Sequence, residues 1–269
     1  MISFRRSLAL LLVLGPALLG LAGCGSDDGA SSTSDPATAA AGPDGKLVVF
    51  GASSLEPAFE AYADDFPDAE IEFSFAGSDD LAAQIRQGVD VDVFASANTT
   101  YPEDLYEEGR LEKPTAFATN QLVLAVPADS GIESVEDVAE PGVSVAIGEQ
   151  GVPVGDYTRE VIGALPQAEG DGILDNVASE EPDVAGIAGK LNQGAVDAGF
   201  VYASDVAASS GGLRAIELPE NVSPDVSYGA GVGVDAAEPA LARQFIDGLM
   251  DGAGAAALAA NDFGPPPQS

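Results

Sequence analysis

The chain has 269 residues, a formal net charge of −34 and no histidine. A protein this acidic is poorly suited to bind nucleic acid or anionic lipid headgroups. The absence of histidine removes every Ser-His-Asp arrangement and the commonest transition-metal ligand, so hydrolases and histidine-based metal sites are disfavoured.

The beginning of the chain has the pattern of a secretory signal. A basic start precedes an apolar run over residues 8–21, which is too short to span a membrane comfortably. The run leads into Leu-Ala-Gly-Cys24, which resembles the lipobox of bacterial lipoproteins, where the cysteine becomes the lipid-modified N-terminus. Residues 1–23 are therefore predicted to be a lipoprotein signal peptide, with Cys24, the only cysteine, as the lipidation site. The alternative is an ordinary signal peptide with an incidental cysteine.

The next segment, residues 24–45, is predicted to be a flexible tether. It consists mainly of Gly, Ser, Thr, Ala, Pro and Asp, and so has little apolar surface to bury. The folded part is expected to begin near Lys46. The remaining chain is long enough for two lobes of ordinary domain size.

From Lys46 onward, short apolar runs alternate with stretches of helical periodicity. Strands are predicted at residues 46–50, 70–74, 91–95, 121–126, 143–147 and 198–202. Helices are predicted at residues 55–66, 81–87, 157–164, 184–193 and 239–259, and the ending 264–267 is expected to be a frayed tail. This order predicts an α/β protein whose parallel sheets are covered by helices on both faces.

Two segments are predicted to cross between the lobes. Residues 118–127 lead from the first lobe into the second, and the chain returns near residue 227. Lobe 1 is thus predicted to contain residues 46–122 and 226–269, and lobe 2 residues 123–225. Two crossings make a hinged cleft, and sheets of this kind bind ligands at the carboxyl ends of their strands.

Serines of the first lobe stand at two places where a predicted strand gives way to a helix. Ser53 and Ser54 follow the first strand, and Ser78 follows the second after Gly77. A helix start offers unpaired N–H groups and a positive partial charge, which attract anions. Taken alone, the Ser53–Ser54 site and the Ser78 site could each be explained by simple helix capping. At the first site, Ser53 and Glu56 also fit a capping box.

The second lobe offers further uncharged donors. The loop before residue 157 presents the Val154 amide, the helix that opens at Asp183 presents the Val184 amide, and a strand ends at Tyr202. Taken singly, these are a turn, a cap and a packing tyrosine. Together with the two serine sites, and with no lysine or arginine in these motifs, they predict a cleft that holds a dehydrated dianion.

These motifs, in this order, resemble the periplasmic molybdate-binding proteins of ABC importers. The resemblance covers residues 46–263 and rests on Val49-Phe50-Gly51-Ala52-Ser53-Ser54-Leu55, Phe75-Ala76-Gly77-Ser78 with Leu81-Ala82-Ala83-Gln84-Ile85, Asp92-Val93-Phe94-Ala95-Ser96-Ala97, and Gly199-Phe200-Val201-Tyr202-Ala203-Ser204-Asp205. It implies an α/β, two-lobed periplasmic-binding-protein fold of type II, with parallel-rich sheets flanked by helices and two hinge crossings.

The resemblance also implies a function and a set of binding residues. In that family two serine hydroxyls, two backbone amides and a tyrosine hydroxyl bind the oxygens of the oxyanion. Carried over by motif, these are Ser54, Ser78, the amides of Val154 and Val184, and Tyr202. The implied protein is an extracytoplasmic monomer, held on the outer face of the cell membrane only by a lipid on Cys24. It captures molybdate or tungstate for an ABC permease, is not an enzyme and needs no cofactor.

Two positions depart from the family pattern. Asp79 follows the binding serine, where the family usually has a small or hydroxylic residue. A carboxylate there would repel a dianion if it faced the ligand, so Asp79 is expected to face solvent. Pro182 stands before Asp183 and is expected to shift the Val184 amide slightly.

Three alternatives remain open at this stage. The first is a carrier of another oxyanion on the same fold, such as sulfate, or phosphate with Asp79 or Asp156 accepting the ligand's proton. The second is an enzyme, which would need a base to activate Ser54 or Ser78, and none stands in these motifs. The third is a structural surface lipoprotein without a ligand.

Overall fold

The computed structural model describes residues 45–66 and 69–268. The predicted signal peptide, Cys24 and the tether up to residue 44 lie outside the described residues. No helix within the described ranges is long and apolar enough to cross a membrane.

The described residues form two five-stranded sheets. In chain order the strands are β1 (Gly45–Ala52), β2 (Ala69–Ala76), β3 (Val93–Ser96), β4 (Thr115–Asn120), β5 (Leu122–Pro127), β6 (Val145–Gly148), β7 (Val177–Glu181), β8 (Ala198–Tyr202), β9 (Leu213–Glu217) and β10 (Val226–Val232). The first sheet has the order β2-β1-β3-β10-β4 and the second the order β7-β6-β8-β5-β9. We call the parts of the chain built on these sheets the first and the second lobe.

Helices cover the two sheets. They are α1 (Glu56–Asp64), α2 (Ser78–Arg86), α3 (Thr100–Glu107), α4 (Val135–Val138), α5 (Pro153–Ala164), α6 (Gln167–Asp175), α7 (Val184–Asn192), α8 (Ala203–Ala208), α9 (Pro239–Met250) and α10 (Ala253–Ala260). The α/β, two-sheet fold predicted from the sequence is therefore confirmed.

Each sheet is mixed, whereas the sequence pattern predicted parallel sheets. Strand β1 is parallel to β2 and β3, but β10 is antiparallel to both of its neighbours. In the same way β6 is parallel to β7 and β8, whereas β5 is antiparallel to β8 and β9. The reason is the connection between the lobes. Strands β5 and β10 each follow a crossing from the other lobe, so each begins at the cleft and runs away from the cleft, whereas the parallel strands run toward it.

The core of the first lobe is built on aromatic rings. Phe59 of α1 is fully buried, and its ring lies edge-on to that of Phe245 at a centroid distance of 5.4 Å. Phe245 belongs to α9, whose buried residues also include Ala242, Ile246 and Leu249 at helical spacing. Truncation of such a ring to alanine typically costs about 3–5 kcal/mol, so α9 is held firmly on the first lobe.

The C-terminal helix predicted over residues 239–259 is two helices, and that prediction was wrong in this respect. The break lies at Gly252, which has φ 123° and ψ −145°. This conformation is open to glycine and strained for other residues. Helix α10 then turns back, and its Leu258 is buried.

The end of the chain is bound to the crossing between the lobes. Strand β4 passes into β5 through the single residue Gln121. Gly264 exchanges two backbone hydrogen bonds with Thr119 of β4, at 3.1 and 2.9 Å, and the Thr119 hydroxyl donates to the Pro265 carbonyl at 3.0 Å. The expectation of a frayed tail was therefore wrong, because the tail pairs with the backbone of a strand about 145 positions earlier in the chain.

Candidate ligand-binding site

A small cavity lies between the two lobes, where β1, β2 and β8 end and the helices that follow them begin. It is narrow, with a free volume of about 10 Å³, close to the room that one water molecule needs. All five residues predicted to bind the ligand line this cavity. The lining consists of Ala52, Ser53, Ser54, Ala76, Gly77, Ser78, Ala97, Val152, Pro153, Val154, Asp183, Val184 and Tyr202.

Ser54 lies in a single 3-10 turn, residues 53–55, between β1 and α1. It is 4% exposed, and its hydroxyl oxygen is 2.9 Å from the hydroxyl oxygen of Tyr228. Within the described part of the chain, no side chain caps this turn or α1. The capping box of Ser53 and Glu56 is therefore absent, so capping does not account for the serine pair.

Ser78 is the first residue of α2 and is 1% exposed. Its hydroxyl oxygen accepts a hydrogen bond from the backbone N–H of Ala97, which follows β3, at 3.1 Å. A hydroxyl has one hydrogen, and this bond uses only a lone pair. The hydrogen of Ser78 is therefore free to point into the cavity.

Two helix starts of the second lobe bring backbone amides to the cavity. Helix α5 has no side-chain cap from the residues that the structure describes, and Val154 is among its first residues, whose N–H groups have no partner within the helix. At the start of α7, the Asp183 carboxylate accepts from the Gly186 N–H at 2.8 Å and leaves the Val184 N–H to the cavity. Pro182 has not removed Val184 from the lining.

Tyr202 completes the set at the end of β8. The side chain is 1% exposed, and its hydroxyl is buried without a hydrogen-bond partner among the described residues. Burial raises the pKa of Tyr202 well above its usual value, so the hydroxyl keeps its proton and can donate it. A buried hydroxyl without a partner costs about 1–3 kcal/mol, and a ligand that accepts from it removes this cost.

The hydrogen-bond donors that reach the cavity are uncharged. Among the described residues that line it, none is a lysine or an arginine, and the one carboxylate, Asp183, is occupied in capping α7. The donors are therefore hydroxyls and amides, aided by the positive ends of α2, α5 and α7. Such a set can hold a fully deprotonated oxyanion.

Asp79 does not line the cavity, as expected, but its side chain is only partly exposed to solvent. One of its carboxylate oxygens is buried and has no hydrogen-bond partner among the described residues. The lobes approach closely here, since a Cβ on Gly77 would lie 2.4 Å from the Pro182 carbonyl oxygen. This burial raises the pKa of Asp79, and the nearby charges of Asp80 and Glu149 add to the effect.

Three residues near the site escaped the sequence reasoning. Tyr228 lies behind Ser54, Asn120 lies at the end of β4, and the Tyr101 hydroxyl donates across the cleft to the Gly151 carbonyl. Each of the three forms a hydrogen bond with a residue far away in the sequence, so no local motif predicts its role. The sequence offered one indication for two of them, since Asn120 and Tyr228 lie in the segments predicted to cross between the lobes.

Comparison with known proteins agrees with this architecture. The family model of the bacterial extracellular solute-binding proteins matches residues 47–264. The molybdate-binding protein ModA of Mycobacterium tuberculosis is 36% identical over 95% of this chain and 97% of its own length.

Two solved structures share the fold. The periplasmic molybdate-binding protein of Azotobacter vinelandii has a TM-score of 0.72 at 22% identity and covers 82% of this chain and 100% of its own. The sulfate-binding protein SubI of Mycobacterium tuberculosis has a TM-score of 0.70 at 14% identity, over 82% of this chain and 86% of its own. The chain described here therefore belongs to the family of bacterial extracellular solute-binding proteins.

Proposed function

We propose that this protein is the extracytoplasmic substrate-binding component of an ABC importer and that it captures molybdate, and tungstate with it. The observation that carries the proposal is the meeting of five uncharged donors from both lobes at one cavity, with the Tyr202 hydroxyl buried and without a partner among the described residues. The identity of 36% to a molybdate-binding protein over 95% of the chain supports this choice of ligand.

Binding in this scheme forms and breaks no covalent bond. The ion loses its water, and its oxygens accept hydrogen bonds from Ser54 and Ser78 of the first lobe and from Val154, Val184 and Tyr202 of the second. Because the donors belong to both lobes, the ion stabilises the state in which the lobes meet. That ligand-bound state is the one that the permease would recognise. The serines act as donors and not as nucleophiles.

Sulfate is the second candidate, because the fold is shared with a sulfate-binding protein. Sulfate and molybdate are both tetrahedral dianions, so the same donors serve both, and the larger size of molybdate is the basis for selection. Phosphate is disfavoured because its proton needs an acceptor. The carboxylates considered for that role, Asp79 and Asp156, do not line the cavity, and Asp156 accepts from the Gly151 N–H at 2.9 Å.

The proposal extends to the location and state of the protein. A lipid on Cys24 would hold it to the outer face of the cell membrane, and the tether would let a monomer reach the permease. Labelling of cells with a radioactive or clickable fatty acid tests the anchor. Loss of the label in a Cys24→Ala variant supports it, and an unchanged label contradicts it.

Thermal unfolding tests the ligand. The chain from Gly25 onward is melted with molybdate, tungstate, sulfate or phosphate. A ligand present at 100 times its Kd stabilises the folded state by about 2.7 kcal/mol, which corresponds to roughly 5–10 °C for a domain of this size. We expect this shift with molybdate and tungstate and a much smaller one with the others. An equal shift with sulfate would make sulfate the ligand, and no shift with any anion would overturn the proposal.

A tyrosine pair gives a matched control. Tyr202→Phe removes a donor from the cavity and should reduce the shift. Tyr62→Phe removes a buried hydroxyl that donates to the Phe245 carbonyl at 3.3 Å, within the first lobe. The second variant should keep the full response to molybdate.

A further inference from the structure

The loop between β6 and α5, residues 149–152, touches both the cavity and the first lobe. Its last residue, Val152, lines the cavity. The carbonyl of Gly151 accepts the hydrogen bond from the Tyr101 hydroxyl, and Tyr101 belongs to α3 of the first lobe. The position of the Gly151 carbonyl therefore decides whether this link between the lobes can form.

Packing leaves Gly151 room to reorient. The residue is half-buried, and a Cβ added to it would meet only the Tyr101 hydroxyl, at 3.8 Å, among the described residues other than its chain neighbours. Its φ of 94° is a conformation that glycine adopts readily. The hydrogen bond inside the loop, from the Val152 N–H to the Glu149 carbonyl, is long at 3.3 Å. The orientation of Gly151 therefore depends on hydrogen bonds from outside the loop.

Asp156 supplies such a bond from the first turn of α5. Its carboxylate accepts from the Gly151 N–H at 2.9 Å. Both bonds to Gly151 have only one possible direction, because an amide N–H donates and a carbonyl oxygen accepts. Gly151 thus donates to Asp156 of its own lobe and accepts from Tyr101 of the other lobe.

The first turn of α5 is a firm support for Asp156. The Arg159 guanidinium donates to the Gly148 carbonyl at the end of β6, at 2.7 Å, and to the Gly155 carbonyl at 3.1 Å. Helix and loop are in close contact, since a Cβ on Gly155 would lie 2.1 Å from the Glu149 carbonyl oxygen. Asp156 therefore holds Gly151 from a part of the second lobe that has little freedom to move.

We propose that Asp156 is a positioning residue, which holds Gly151 so that its carbonyl meets the Tyr101 hydroxyl when the lobes close over the ligand. The inference rests on the proposed function. It gives Asp156 a role in retaining the oxyanion that requires no contact with it. The side chain of Asp156 is exposed, and its charge is stabilised by the positive end of α5.

Helix capping alone makes a different prediction for Asp156. A carboxylate in the first turn stabilises a helix whether or not the lobes are linked. Its removal would then lower the free energy of unfolding and leave the release of the ligand unchanged. The release rate, unlike stability, therefore reports on positioning.

Release rates of the ligand test the inference. Rapid filtration measures the release of radiolabelled molybdate into excess unlabelled molybdate from wild type, Asp156→Ala, Tyr101→Phe and the double variant. We expect Asp156→Ala to raise the release rate about 2- to 5-fold, because it loosens a link worth no more than one hydrogen bond. In the Tyr101→Phe background we expect Asp156→Ala to have no further effect, because Asp156 acts through that link.

Two further variants separate the hydrogen bond from the charge. Asp156→Asn keeps an oxygen that accepts from the Gly151 N–H, and it should restore the slow release. Glu160→Ala removes a carboxylate from an exposed position on the same helix and should release molybdate like wild type. Melting temperatures without ligand show which variants fold. Should Asp156→Ala fail to fold, Asp156→Leu, which also lacks an acceptor, takes its place.

The outcomes are distinct. Faster release in Asp156→Ala that is absent from the Tyr101→Phe background and reversed in Asp156→Asn supports the inference. A wild-type rate in Asp156→Ala, an increase that multiplies with that of Tyr101→Phe, or equally fast release in Asp156→Asn would overturn it while the proposed function stands. A wild-type protein that binds no oxyanion would overturn the proposed function, and the inference with it.

Discussion

Tyr101 of the first lobe donates a hydrogen bond from its hydroxyl to the backbone carbonyl of Gly151 in the second lobe. The bond lies beside the cavity, since Gly151 directly precedes Val152 in its lining. Tyr101 does not itself line the cavity. It links the lobes only when they meet, and so it contributes to ligand binding through closure.

Removal of this link should shorten the life of the ligand complex. We expect Tyr101→Phe to raise the dissociation rate of molybdate about 2- to 10-fold, the effect of one net hydrogen bond of about 0.5–1.5 kcal/mol. The rate of association should change little, because the link forms after the ion has entered. Stopped-flow displacement by excess tungstate measures this rate, and an unchanged dissociation rate would contradict the role.

Asp79 should weaken the affinity for a dianion. Its carboxylate is partly buried close to the meeting point of the lobes, and one of its oxygens is unpartnered among the described residues. We expect Asp79→Asn to bind molybdate several-fold more tightly, with a larger gain in dilute buffer because salt screens the repulsion. Calorimetry at low and high salt measures the effect. Asp80→Asn, at an exposed neighbour, is the control with a smaller gain.

Asp205 should make stability depend on pH. Its carboxylate accepts from the Tyr202 N–H at 2.9 Å, and burial raises its pKa to about 7. In the unfolded chain an aspartate has a pKa of about 3.9. Between these values the folded state binds more protons, so the free energy of unfolding falls as pH rises through this window.

The variant Asp205→Asn should lack this contribution while keeping an oxygen for the Tyr202 N–H. We expect the stability difference between wild type and variant to change by up to about 1.4 kcal/mol per pH unit between pH 4 and pH 7. Urea unfolding at several pH values gives the difference. Two curves that run parallel over this range would refute the assignment.

The break between α9 and α10 should require its glycine. Gly252 has φ 123°, so Gly252→Ala should lower the free energy of unfolding by about 1–3 kcal/mol without weakening the binding of molybdate. The matched control is Gly163→Ala, in the exposed end of α5, where an added Cβ meets nothing within 4 Å. That variant should be neutral or up to about 1 kcal/mol more stable. Equal effects of the two substitutions would contradict the prediction.

The sequence was most informative where the relevant contacts are local. Ser54, Ser78 and Val184 each stand where a helix begins, and the spacing from strand to helix is visible in a few residues. Once strand ends are assumed to meet at a common edge, these groups fall together in space. The structure brings all five predicted donors to one cavity for this reason.

The sequence was least informative where distant segments meet. Tyr228 and Ser54 are 174 positions apart, and nothing in either segment predicts their contact. Asp79 was expected to face solvent because its carboxylate would repel a dianion, whereas the burial of one of its oxygens depends on how closely the second lobe approaches Gly77. The direction of β10 and β5 likewise depends on the route of the chain between lobes.

The bond pair between Gly264 and Thr119 has a mechanical consequence. Residues 264 and 265 hydrogen-bond to Thr119, one residue before the end of β4. Bending of the strand at this point would therefore break these hydrogen bonds. We therefore expect any rotation between the lobes to occur, on this side of the molecule, around Gln121. The C-terminal residues thus stiffen the end of β4, and the connection that stays free to bend is the single residue Gln121.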